Sequence, residues 1–127
     1  MMRTYQLIKR DMRHCAFNYV RTHRQRHGLS QEDLAHLLDQ ESIASVSQYE
    51  SGARVPTLKH ALALQVIFGM APKEMFPDFF AGVEEAVMGQ GADLYARLDE
   101  LADPRSVARR ELLDAMAGRA VGNDIEL

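Results

Sequence analysis

The side chains able to do chemistry are concentrated in the first half of the chain. All five histidines (14, 23, 27, 36 and 60) lie there, with nine of the fifteen Lys and Arg residues and the single cysteine, Cys15. His23 and His27 stand four apart, a spacing that suits two metal ligands on one helix. No third ligand follows at a defined distance, so they read as solvated helix-surface histidines. One cysteine rules out a disulfide framework within the chain and every multi-cysteine zinc site. Next to Ala16 and Phe17 it reads as an inert core thiol. No Ser-His-Asp set and no phosphate loop is present, so the sequence points away from an enzyme, a metal site and a cofactor. What remains is charge. Residues 1–60 carry a net charge of +3 and residues 61–127 a net charge of −6, and residues 1–30 hold seven basic side chains to one acidic. That asymmetry describes an anion-binding front and a solubilising or pairing rear.

Helices must position these groups. The chain has 127 residues, 46% hydrophobic and 26% charged, and only 12 are Gly or Pro. This composition excludes collagen-like, low-complexity and wholly disordered classes. The length is one domain's worth, or a small domain with an appendage. No apolar run reaches the roughly 18 residues of a membrane span. The charged start, from Met1 to His14, lacks the apolar core of a secretory signal, so the expected compartment is the cytoplasm. Strand-like alternation is nearly absent, whereas helical spacing recurs.

The expected elements follow from caps and apolar spacing. A first helix runs from about Arg13 to His27, with Ala16, Phe17 and Val20 on its apolar side and Gly28 as a C-terminal stop. Ser30 caps a second helix, Asp33 answers it as a capping-box partner, and Leu34, Ala35, Leu37 and Leu38 face inward. A polar turn, Asp39 to Ser42, leads to a third helix over Ile43 to Ser51, with Val46 and Tyr49 inward and Gly52 closing it. After the connector Ala53 to Pro56, Thr57 caps a fourth helix with Leu58, Ala61, Leu62, Leu64 and Ile67 at helical spacing, and Gly69 stops it. Pro72 opens a short fifth helix. Pro77 marks a boundary. Beyond it Val83, Val87, Gly91, Leu94, Leu98 and Leu101 make an a/d-like seam. Gly89 and Gly91 imply either a break in that helix or packing so close that only glycine fits. Asp103-Pro104 begins a last helix that reaches about Ala117, and Gly122 to Leu127 form a frayed tail.

Between Arg24 and Pro56, two short helices joined by a tight polar turn, with a third alongside, make the layout of a helix-turn-helix. Such a unit offers one helix to the major groove of B-DNA, where base edges can be told apart. Arg24, Gly28-Leu29-Ser30-Gln31-Glu32-Asp33-Leu34-Ala35, then Ser47-Gln48-Tyr49-Glu50-Ser51-Gly52 and Pro56-Thr57-Leu58 form one pattern. With it the stretch resembles the lambda-repressor-like, or xenobiotic-response-element, family of helix-turn-helix regulators, and the resemblance covers about residues 13–76. It implies a five-helix DNA-binding domain, here with a basic N-terminal arm over residues 1–76; residues 77–127 carry no such resemblance, and their a/d-like seam makes them C-terminal helices for dimerisation in a chain expected to be all-α. It also implies roles. Gln31 would bind a DNA phosphate, helped by backbone N–H groups and the helix dipole. Ser42, Ile43, Ala44 and Gln48 would meet base edges. Gln48 leads because an amide can pair bidentately with adenine, whereas Ile43 and Ala44 could touch only thymine methyls. Ser45 would reach a phosphate or a base. Arg54 would face the DNA backbone, with Arg21, Arg26, His27, Lys59 and His60 as auxiliary phosphate contacts. Arg24 and Glu50 would form a partly buried structural ion pair.

The sequence departs from the family in two ways. One extra residue falls in the turn near Asp39 to Glu41, where the usual glycine is missing, so the recognition helix starts at either Ser42 or Ile43. That helix also has no Lys or Arg, so the commonest specific contact, Arg to guanine, is absent from it. The partners expected are double-stranded DNA and a second copy of the chain, in a repressor acting on a two-fold-related operator. The alternative is an antitoxin or protein-interaction adaptor that uses the same domain, with the acidic rear binding a partner protein.

Overall fold

The computed structural model describes residues 17–39, 42–98 and 103–125, with side chains described as far as Gly122. The expectations for Arg13, His14, Cys15, Ala16, Gln40, Glu41, Leu101 and the basic N-terminal arm lie outside the described residues. All regular structure among the described residues is helical: α1 (Val20–Arg26), α2 (Gln31–Leu37), α3 (Ile43–Ser51), α4 (Leu58–Phe68), α5 (Pro72–Met75), α6 (Pro77–Arg97) and α7 (Pro104–Ile125). They fall into two compact units, divided inside α6 after Gly82.

Local caps set the boundaries in the first unit. Residues 17–19 are not helical, although a start near Arg13 was expected. Asn18 is the cause. Its carboxamide accepts the Val20 N–H at 3.1 Å and donates to the Tyr49 carbonyl at 2.9 Å. The Tyr19 N–H is drawn to the Met75 carbonyl at 3.0 Å. Phe17, expected on the apolar side of α1, is 54% exposed and packs edge-on against Tyr19. Gly28, at φ +70°, ends α1, with the Leu29 N–H returning to the Arg24 carbonyl and the Gly28 N–H to that of Gln25. These two bonds satisfy carbonyls the helix leaves open, at a φ that costs glycine nothing. Ser30 and Asp33 form a reciprocal capping box on α2, and Ser42 and Thr57 cap α3 and α4 through their hydroxyls. Asp39 supplies the left-handed residue of the turn, at φ +66°, a conformation that aspartate tolerates better than most side chains.

α2 packs on α3, α1 on α3, and α4 on α5. Val20, Leu34, Ala35, Leu38, Val46, Tyr49, Leu64 and Met75 are buried between them, with Ile67 and Phe68 against their edge. Three residues expected inward face out instead: Leu37, Leu58 and Leu62, at 49%, 75% and 50% exposure. On α4 the inward stripe runs through His60, Leu64 and Ile67, leaving Leu58 and Leu62 on the opposite side of the same turns.

In the second unit α6 runs unbroken through Gly89 and Gly91. A Cβ added at Gly91 would meet Leu113 and Met116 at 3.5 Å, an ordinary contact. Neither a break nor a glycine-only contact within the chain therefore accounts for these residues. Asp103 caps α7, accepting the Arg105 and Ser106 N–H groups at 3.0 Å and the Ser106 hydroxyl at 2.8 Å. α7 does not stop near Ala117 but continues to Ile125. No described side chain of α6 is buried, and Val83, Val87 and Leu94 are each more than a third exposed.

Candidate nucleic-acid interface

α3 has two unlike faces. Ser45, Val46 and Tyr49 are buried, while Ser42, Ile43, Ala44, Ser47 and Gln48 are exposed. Ile43 and Ser47, Ala44 and Ser47, and Ala44 and Gln48 lie three or four residues apart and share one side of the helix, with Ser42 preceding it as the N-cap. That side offers hydroxyls, one amide and aliphatic carbons, and no cation. Ser42 is the N-cap and Ile43 the first helical residue, which fixes the register despite the extra residue in the preceding turn.

A polar cluster holds α3 against α1 and α2. Arg24 meets Glu50 through two bonds, Nε to Oε2 at 2.5 Å and Nη2 to Oε1 at 3.2 Å, and donates a third from Nη1 to the Leu29 carbonyl at 2.9 Å. Their side chains are only 10% and 5% exposed. The Gln31 amide, at the start of α2, donates to Glu50 Oε1 at 3.2 Å. Gln31 is half-buried, and this bond ties one of its two amide N–H donors to a buried carboxylate.

A second chain of contacts runs behind the N-terminus of α3. Ser42 Oγ accepts the Ser45 N–H at 3.1 Å and lies 3.0 Å from the Ser45 hydroxyl. Arg54 donates from Nη1 to Ser45 Oγ at 3.1 Å, and its guanidinium sits 5.6 Å from the centroid of the Tyr49 ring. The Tyr49 hydroxyl meets His60 Nδ1 at 2.8 Å. Two sequence expectations are corrected here. Ser45 is 6% exposed, so its hydroxyl cannot reach a phosphate or a base. His60 is 7% exposed and belongs to the core, so it is no auxiliary phosphate contact. The helical period decides both: positions 45 and 49 share the inner stripe of α3, and 60 and 64 that of α4.

The remaining basic groups are spread over the surface. Arg21 and Arg26 are exposed on α1. Lys59 is exposed but engaged, 2.6 Å from the Asp39 carboxylate. That hydrogen bond, with the opposite charge behind it, holds the Asp39 carboxyl below its ordinary value and raises the Lys59 ammonium above its own. His23 and His27 both lie against the Phe68 ring. Partial burial, with the positive charges of Arg26 and His27 adding to it, lowers His23 below the usual histidine range. Among the described residues no three His, Cys, Asp or Glu side chains could together hold a metal ion. The anchoring role of Asn18 went unread in the sequence. An Asn two residues before a helix is a recognisable capping signal, but its bond to Tyr49, 31 residues away, is not.

Residues 20–75 match a family model described as helix-turn-helix. No curated protein and no solved structure matches the chain. No helix among the described residues is long and apolar enough to cross a membrane.

Proposed function

Because residues 20–75 are a lambda-repressor-like helix-turn-helix domain of the xenobiotic-response-element family of DNA-binding regulators, we propose that the chain is a sequence-specific repressor. It binds a two-fold-related operator as a homodimer and reads the major groove with α3. The observation that carries this reading is the exposed stripe of Ser42, Ile43, Ala44, Ser47 and Gln48 on a helix whose other face is buried. A helix of ordinary diameter presents such a stripe to base edges without further rearrangement.

The roles divide by chemistry. Gln48 reads a base through its amide, and Ser42, Ile43 and Ala44 shape the contact beside it. Gln31, its amide held by Glu50, takes a phosphate, as do Arg54, Arg21, Arg26 and Lys59. Phosphate contacts set register and orientation, and base contacts set sequence. With no cation on α3, the readout favours A·T-rich half-sites.

The second copy is held through residues 77–117. A two-helix unit in which no described side chain is buried has too little core to stand alone, and the exposed Val83, Val87 and Leu94 supply the apolar surface a partner would cover. The test is selection of bound sites from random duplex by the full chain, followed by footprinting. The expected result is a palindrome whose half-site centres lie about 34 Å, or one helical turn, apart. Failure to enrich any sequence, with a protein partner copurifying instead, would overturn the reading in favour of an adaptor or antitoxin.

A further inference from the structure

Ser45 reaches no solvent-facing ligand, yet it joins two groups that border the reading face. We propose that Ser45 is a positioning residue for duplex binding: its buried hydroxyl sets Ser42, at the N-terminus of α3, and the Arg54 guanidinium in one arrangement. The proposal rests on the duplex-binding reading above.

The geometry is that of a clamp. Arg54 sits in an exposed connector on a long side chain with many rotamers. Three contacts restrict it: its backbone N–H to the Gln48 carbonyl at 3.2 Å, its Nη1 to Ser45 Oγ at 3.1 Å, and its guanidinium carbon over the Tyr49 ring, 5.6 Å from the centroid. Tyr49 is held in turn by His60 at 2.8 Å. The Ser45 bond uses one of the five guanidinium N–H donors and leaves the others for phosphate oxygens. On its other side Ser45 fixes Ser42 twice, through its backbone N–H at 3.1 Å and its hydroxyl at 3.0 Å. A phosphate ligand and the cap of the reading helix are therefore linked through one buried oxygen. If Ser45 only filled space, alanine would serve as well, since it differs by a single oxygen. An Arg54 N–H released by that change would turn to water, so its loss should show in binding rather than in stability.

The experiment is a titration of the full chain with the selected operator and with random duplex, at several salt concentrations. The variants are Ser45→Ala, Arg54→Ala, the pair together, and Arg54→Lys. On random duplex Ser45→Ala should weaken binding roughly three- to tenfold, as expected when a rotamer-rich side chain must be ordered on binding. It should flatten the salt dependence toward that of Arg54→Ala, which drops by up to about 0.9 in slope per lost phosphate contact. The double variant should bind random duplex no more weakly than Arg54→Ala alone. On the operator Ser45→Ala should lose further affinity through Ser42. Parent-like affinity and slope for Ser45→Ala, or additive losses in the double variant, would overturn the proposal. Should Ser45→Ala fail to fold, Arg54→Lys decides. It keeps the charge but has no planar fork to bond Ser45 while its charge stays over Tyr49, so it should bind nearly as weakly as Arg54→Ala, and parent-like binding would overturn the clamp. If the unmodified chain binds no duplex at all, the duplex-binding reading itself fails, an outcome separate from these.

Discussion

Replacing Glu50 by alanine should destabilise the domain itself, apart from any effect on DNA binding. The Glu50 carboxylate is 5% exposed and accepts three hydrogen bonds, two from Arg24 and one from Gln31. Glu50→Ala removes all three and leaves a guanidinium, 10% exposed, with only the Leu29 carbonyl as partner. Hydrogen bonds to a charged group contribute about 1.5–3 kcal/mol each, so simple addition would exceed the usual measured cost. Breaking a buried pair by removing one partner costs about 3–5 kcal/mol. Against a total stability of roughly 5–15 kcal/mol that is a large fraction. For a domain this small it corresponds to a fall in melting temperature of roughly 15 °C or more. The assay is thermal unfolding followed by circular dichroism, with Glu50→Gln and the double variant Arg24→Met/Glu50→Leu beside it. Glu50→Gln keeps an acceptor oxygen and should cost less. The double variant removes both charges and should recover most of the loss, yet still bind DNA poorly because Gln31 has lost its anchor. A melting temperature for Glu50→Ala within about 2 °C of the parent, with DNA binding gone, would refute the structural role of the pair.

Three further outcomes are expected. Gln48→Ala should cost about 1–3 kcal/mol on the selected operator and little on random duplex, whereas Gln31→Ala should weaken both alike; equal losses on both duplexes for Gln48→Ala would mean that α3 does not read bases as assigned. Light scattering at high micromolar concentration should return about twice the chain mass of 14.3 kDa, and polar replacements at Val87 and Leu94 should return it toward one. The capping hydrogen bonds from Ser30 lower the folded pKa of Asp33, so their stabilisation is present above the unfolded value of about 4 and is lost as pH falls through the lower folded value. Asp33→Asn should accordingly flatten the acid limb of the stability curve, and an unchanged limb would contradict the capping role.

What the sequence determined by itself was local. Ser30 and Thr57 as caps, and Gly28, Gly52 and Gly69 as stops, were legible because a hydroxyl that bonds the N–H three residues on, or a glycine at positive φ, acts within one turn of chain. The polar turn and Gly52 bounded α3, Pro72 marked the opening of α5, and apolar spacing gave the inward faces of Val46 and Tyr49. Tertiary structure decided which of several apolar or polar stripes turned inward. Leu58 and Leu62 yielded the core side of α4 to His60 and Leu64, because the fourth helix meets its neighbours along one narrow line that spacing alone does not choose. Ser45 went under for the same reason, and the Arg54 guanidinium folded back on Tyr49 because a connector nine residues further along returns beside the start of α3. Asn18 holds residues 17–19 out of α1, which begins at Val20, through a carbonyl 31 residues away. Contacts of that range depend on where whole helices come to rest, and no local pattern in the chain encodes them.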